Sequence, residues 1–161
     1  MVKEIFGVLA VSTLCFMHGC SAMPSDALLG KDRDLVLRVL GKPLVEKVEN
    51  EAVKLVYPKG PYGKGTFFIE LDVSGRVVSW RDVLTYENFN KIKIGMLIQE
   101  VEEIIGPSLW RWEVAKDRQT IHNYPFDNSM CQIFQVAVLP SGLIAEHGFG
   151  FAPECEHFGD S

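Results

Sequence analysis

The sequence predicts an α+β fold made of two tandem repeats, each a short helical segment packed on a three- to four-stranded antiparallel meander sheet. Three observations carry this prediction. A helix-sized stretch framed by glycines occurs twice with the same internal interval, from Gly30 to Gly41 and from Gly95 to Gly106. Downstream, Tyr57-Pro58 is answered by Tyr124-Pro125 and Ser74-Gly75 by Ser141-Gly142, at an offset two positions longer than that of the glycines. Between these marks lie short runs rich in β-branched and aromatic residues, bounded by turn residues. Several marks in one order at a nearly constant offset are the signature of a duplicated unit. A two-residue insertion somewhere between Gly106 and Tyr124 reconciles the two offsets.

The first stretch of the chain reads as an address. Lys3 precedes a continuously apolar or small run from Ile5 to Met17. That run is short for a membrane-crossing helix and suits the apolar region of a signal peptide, here residues 1–19. The same stretch also allows plain secretion with a free Cys20, or a buried N-terminal helix. "MHGC", Met17 to Cys20, resembles the lipobox of bacterial lipoproteins, whose cysteine is acylated and becomes the mature N-terminus. The resemblance implies a lipid anchor at Cys20. More than one acyl chain would make that anchoring stable. Ser21 follows where an Asp would resemble an inner-membrane retention signal. The expected location is therefore the outer membrane, lipid-anchored on its periplasmic face. Residues 20–27, with small and polar side chains and one proline, read as a tether.

The first repeat spans residues 28–85. Val36, Val39 and Leu40 share one helical face, and Asp32 is placed to cap the helix N-terminus. "LVEKVE" and "AVKLVY" bracket Asn50-Glu51, and "TFFIELDV" and "RVVSWRDVL" bracket Ser74-Gly75, so four strand signals follow. The second repeat spans residues 86–155, and a tail covers 156–161. Tyr86 to Lys93 joins the repeats and offers a short helix of its own. Ile98, Val101, Ile104 and Ile105 form the apolar face of the next helix, with Gln99, Glu102 and Glu103 opposite. Gly106 can stop this helix in a left-handed conformation, and Pro107 prevents its continuation. Its strand signals are "LWRWEV", "QTIHNY", "CQIFQVAV" and "LIAEHGFGF". A unit of roughly 60 residues is marginal on its own core. The two repeats are thus expected to bury aromatic strand faces against each other or against a partner.

Gly95-Met96, the short amphipathic helix, Gly41-Lys42-Pro43, the Tyr-Pro strands and the Ser-Gly hairpin turns together resemble the SmpA/OmlA/BamE lipoprotein domain. Members of that family are small outer-membrane lipoproteins, one of them an accessory subunit of the machine that inserts β-barrels. The tandem arrangement is similar to the β-lactamase inhibitor protein fold, in which two helix-plus-sheet repeats present a concave sheet face to an enzyme. The resemblance implies a protein-binding or assembly module with an envelope protein partner. Its alternative is a proteinaceous inhibitor of a secreted or periplasmic enzyme.

The remaining candidates come from the residues themselves. Cys131 opens a strand and Cys155 follows the last one; in an oxidising compartment the pair suggests a disulfide, and two separate thiols are the other reading. Such a bridge would contribute about 3 kcal/mol by the chain-entropy argument. "CEHF", Cys155 to Phe158, with His147 nearby, lacks a second ligand pair at a recognised metal spacing. "PKGPYGKGT", Pro58 to Thr66, is a basic glycine-rich loop without the Gly-Lys-Ser/Thr that leads a phosphate-binding loop into a helix. Contact with lipid phosphates or a simple hairpin connection both fit it. Trp80, Trp110, Trp112, Tyr62, Phe149 and Phe151 are the aromatic candidates for partner binding, since tryptophan and tyrosine are enriched at interface hot spots. Core packing is the competing role. A net charge of −5 gives nucleic acid no electrostatic footprint. No histidine neighbours a nucleophile in a recognisable catalytic motif, so neither an enzyme nor a cofactor is expected, and no small-molecule substrate is evident.

Overall fold

A computed structural model of the chain describes residues 23–59, 63–116, 118–153 and 155. The signal-peptide region, Cys20, Tyr62 and the 156–161 tail lie outside the described residues. The described chain is α+β, with two separate four-stranded antiparallel sheets in the orders β1-β2-β3-β4 and β5-β6-β7-β8. No described helix is long and apolar enough to cross a membrane.

A 3-10 turn at Asp26–Leu28 leads into α1, Arg33–Leu40. Asp32 caps this helix: its Oδ1 accepts the Leu35 N–H at 2.8 Å. Gly41, at φ +81°, ends it in a conformation that suits glycine. Val36 is fully buried, whereas Val39, expected on the same face, is exposed. The first sheet comprises β1 (Val45–Glu49), β2 (Ala52–Pro58), β3 (Thr66–Leu71) and β4 (Val77–Asp82). The linker contributes α2, Tyr86–Phe89, capped by Thr85. Then follow α3 (Ile98–Ile105), β5 (Trp110–Val114), β6 (Gln119–Pro125), β7 (Gln132–Val138) and β8 (Ile144–Phe151). Leu97 has no side-chain acceptor to cap α3. Glu100 compensates from inside the helix, taking the Leu97 N–H at 2.7 Å.

The two halves repeat each other down to single hydrogen bonds. Gly30 N–H donates to Val77 O and Val77 N–H to Lys31 O; Gly95 N–H donates to Ile144 O and Ile144 N–H to Met96 O. The bridge between Asp32 and Arg76 is matched by the bridge between Leu97 and Leu143. A register shift at Glu70/Leu71 is matched at Ala137/Val138. The insertion falls in the first hairpin of each sheet. Val45 pairs with Val56 in one sheet and Trp110 with Asn123 in the other, so the shorter offset holds on the first strand and the longer one on the second. In the first half Asn50 and Glu51, both at positive φ, make a two-residue turn. In the second half a longer connection between Val114 and Gln119 takes its place.

Strand alternation gives each sheet an inner and an outer face. The first inner face buries Leu55, Tyr57, Phe67, Ile69 and Leu71 in one cluster with Val36. The second buries Tyr124, Phe134, Val136 and Val138 with Val101, Ile105 and Phe89. A third, smaller cluster lies on the outer face of the first sheet: Val56, Phe68 and Val83, with Val45 against it. The covering comes from the second half. A Cβ at Gly106, just past α3, would sit 2.6 Å from Thr66 Cγ2 and 3.3 Å from Phe68. Glu103 of α3 pairs with Lys54 at 2.9 Å and also with Lys47. The halves therefore meet through the end of α3 on the first sheet, rather than through two strand faces.

Candidate functional site

The outer face of the second sheet is covered in part: Asn123 and Ile133 are buried at 1% and 2% exposure, whereas Trp112 on its edge strand is exposed. Its positions correspond one for one with the covered face of the first. Val56, paired with Phe68, becomes Asn123, paired with Gln135. Val45 and Lys47 become Trp110 and Trp112; Lys54 becomes Ile121; Glu70 becomes Ala137. Val56 and Phe68 are buried at 3% and 2% exposure beneath the end of α3. In the second sheet the same two positions hold amides that satisfy each other, with Asn123 buried at 1% exposure. Gln135 Nε2 donates to Asn123 Oδ1 at 2.9 Å, and Asn123 Nδ2 donates to the Trp110 carbonyl at 3.2 Å. Buried polar groups are tolerated when bonded in this way.

Around this amide pair the surface is concave. A groove of about 300 Å³ is lined by Trp112, Ile121, Gln135, Ala137, Glu146 and Gly148, among others. Gly148 and Gly150 keep the β8 side low. A Cβ at Gly150 would collide with Gln135 Oε1, so glycine also protects the amide pair. Trp110 and Trp112 meet edge to face with centroids 5.5 Å apart. Trp112 is 39% exposed and forms a wall of the groove. An aromatic wall, an apolar floor and a few fixed polar groups can receive the side chains of a folded partner.

The structure separates the aromatic candidates that the sequence grouped. Trp110 and Trp112 share the outer face of the second sheet, opposite its core, so the core-packing role does not apply to them. Trp80 is elsewhere: it packs on the first inner cluster, and its Nε1 donates to Asp26 at 3.1 Å. Phe149 belongs to an aromatic cluster with Tyr86, Phe89, Phe126 and Phe134 on the inner side of β8, although it stays 45% exposed. Phe151 lies two residues further along the same edge, 64% exposed. Cys131 and Cys155 are at disulfide distance, with Cα atoms 6.3 Å apart. Ala152 N–H donates to the Cys131 carbonyl, continuing the β7–β8 ladder by one pair, and Cys155 N–H donates back to the Ala152 carbonyl in a turn.

Asn123, Gln135, Ile121 and Glu146 were not candidates from sequence alone. Their signal was present in the alignment of the repeats: the apolar strand residues Val56 and Phe68 become the amides Asn123 and Gln135 at the matching places of the second repeat. On the inner face, His122 takes the place of Leu55. Burial first, and the Arg111 charge second, lower its pKa to about 4. Among the described residues neither its Nδ1 nor the Tyr124 hydroxyl has a hydrogen-bond partner, whereas Tyr57, the counterpart of Tyr124, donates to Gly41 O at 3.0 Å. Burial raises the pKa of both tyrosines, that of Tyr57 to about 12. Among the described residues no group of three or more His, Cys, Asp or Glu is placed to hold a metal.

No family model and no curated protein matches the chain. Among the solved structures that align with it are two at 12% sequence identity. One is an extracellular protein containing an SCP domain from Bacillus anthracis str. Ames, with a TM-score of 0.32 over 94% of this chain and 50% of that one. This chain thus spans half the length of that protein. The other is a DUF4309 family protein, YjgB, from Bacillus subtilis subsp. subtilis str. 168, with a TM-score of 0.30 over 82% and 88%. At these scores neither likeness carries an argument about fold or function.

Proposed function

We propose that the chain is a tandem duplication of a helix-on-sheet unit, lipid-anchored through Cys20 at the periplasmic face of the outer membrane. It acts there as a protein-binding module in the assembly of envelope or outer-membrane proteins. It works by surface complementarity and not by catalysis. The observation that carries this reading is the outer face of the second sheet. Its counterpart on the first sheet is occupied by α3, while this face presents Trp112 and a groove bordered by Gln135 to solvent. Tryptophan at the centre of such a patch suits a protein hot spot.

Affinity capture from detergent-solubilised membranes tests this. The wild-type chain is expected to retain an envelope protein that Trp112→Ala loses, with the circular dichroism of the variant unchanged. Capture of the same proteins by both, or of none by either, would remove the docking face. The anchor has its own test. Globomycin-sensitive processing and palmitate labelling are expected for the wild type and absent in Cys20→Ser; a Cys20→Ser chain that is processed and membrane-bound as before would refute it.

A further inference from the structure

The edges of the two sheets differ in a way that the proposed docking face does not use. Edge strands present unpaired backbone groups, and proteins blunt them with charge, proline or a covering segment. Three of the four edges here are blunted. β1 carries Glu46, Lys47 and Glu49, β4 carries Arg81 and Asp82, and β5 carries Arg111 and Glu113. β8 is different. From Gly148 to Phe151 it reads Gly-Phe-Gly-Phe, without charge or proline. It also runs two residues beyond the point where β4 ends. β4 stops at Asp82, whose Oδ1 accepts the N–H groups of Thr66 and Leu84 and turns the chain away. β8 continues to Phe151, opposite Gln132. Beyond Ile144, no backbone hydrogen bond reaches its outer side among the described residues. Cys155 is held on the β7 side by Cys131, clear of that edge.

We propose that this edge pairs with β8 of a second copy, antiparallel, about a two-fold axis through Gly150. The sequence of the edge argues for a second copy over an unrelated strand. In an antiparallel pair about a two-fold, directly opposite residues lie on the same face and their numbers sum to a constant. With the axis through Gly150, Phe149 of each copy faces Phe151 of the other. The inner side of the seam then carries two aromatic cross-strand pairs, which stabilise antiparallel strands. They extend the exposed ledge that Tyr86 and Phe149 already form, with ring centroids 5.4 Å apart. On the outer side Gly150 faces Gly150 and Gly148 faces Ala152, so no side chain blocks the seam. The two four-stranded sheets become one of eight strands, with a Trp112 groove on each side of a low glycine centre. This pairing stands whether or not that groove binds a partner.

Sedimentation velocity of the full chain in a non-ionic detergent tests the pairing. The wild type is expected to sediment at twice the monomer mass. Phe151→Lys, which puts a charge on the seam at a position already 64% exposed, is expected to sediment as a monomer with unchanged circular dichroism. Val48→Lys, on the edge of the other sheet, is expected to remain a dimer. A monomeric wild type across the accessible concentration range would overturn the proposal. So would a Phe151→Lys dimer, which would place self-association elsewhere in the chain, and so would a monomeric wild type whose β8 edge instead captures a different protein.

Discussion

The outer faces of the two sheets start from one plan and end with opposite chemistries. On the first, Val56 and Phe68 are buried under the end of α3, and Lys47 and Lys54 reach out to Glu103. On the second, Asn123 and Gln135 occupy the same paired positions and bond to each other, while Trp112 and Ile121 replace the lysines. The first face lies under α3, and the second leaves Trp112 exposed beside a groove. An apolar pair is stable where another segment of the chain removes it from water. An amide pair tolerates burial when its members bond to each other and to the backbone, as Asn123 does to Gln135 and the Trp110 carbonyl. Of the two matching faces, one forms the joint between the halves and the other carries an aromatic wall and a groove.

The sharpest way to break this comparison is to truncate the same position twice. Phe68→Ala is expected to cost about 4 kcal/mol, the usual scale for a buried phenylalanine. Gln135→Ala is expected to cost about 2 kcal/mol, because it leaves the buried Asn123 Oδ1 without a donor. Denaturant titration measures both, and equal losses would mean that the amide pair contributes as much as the apolar one. The glycines after the helices sharpen the point. Gly41→Ala meets nothing within 4 Å and carries only its positive-φ strain, about 1 kcal/mol. Gly106→Ala adds a collision with Thr66 to the same strain, so a loss of about 3 kcal/mol is expected. The joint predicts that gap; a single value for both variants would argue against it.

A third test concerns the inner faces. Leu55 is apolar, whereas His122 is held neutral with its pKa lowered to about 4 from an ordinary 6.5. The folded state thus binds this proton more weakly than the unfolded chain does. Its contribution to stability is complete above pH 6.5 and is lost as the pH falls toward 4. His122→Leu, which restores the residue of the first repeat, is expected to remove about 3 kcal/mol of stability loss across that interval. Stability curves of the two chains that stay parallel with pH would contradict the assignment. The smallest effect belongs to the ion pairs at the joint. Glu103→Ala should cost under about 1 kcal/mol, and less still in high salt, because both lysine partners are reached at the surface. Thermal melts at two salt concentrations measure it.

Much of the architecture was legible in single residues. The Ile98, Val101 and Ile105 spacing marked α3, Asp32 marked a cap, and the glycines at 30, 41, 95 and 106 framed both helices. Strand boundaries followed from Asn50-Glu51 and Ser74-Gly75 because those residues suit tight turns. The two outer faces also left a trace. "TFFI", Thr66 to Ile69, is buried on both sides, whereas "QIFQ", Gln132 to Gln135, breaks the apolar run with amides. A continuous apolar run signals a strand covered on both faces. What covers it was not legible, since the contact between Gly106 and Phe68 joins segments far apart in the chain and depends on how the halves dock. The site of the insertion was hidden for a related reason: short motifs flank it, and strand pairing alone locates it in the first hairpin.

The central claim is that the outer face of the second sheet is the docking face and that its counterpart is not. Site-specific photo-cross-linking in living cells tests it most directly, with a photoreactive phenylalanine placed at Trp112 in one chain and at the equivalent Lys47 in another. The account predicts an adduct with an envelope protein from position 112 and none from position 47. An adduct from position 47 with none from position 112 would contradict it.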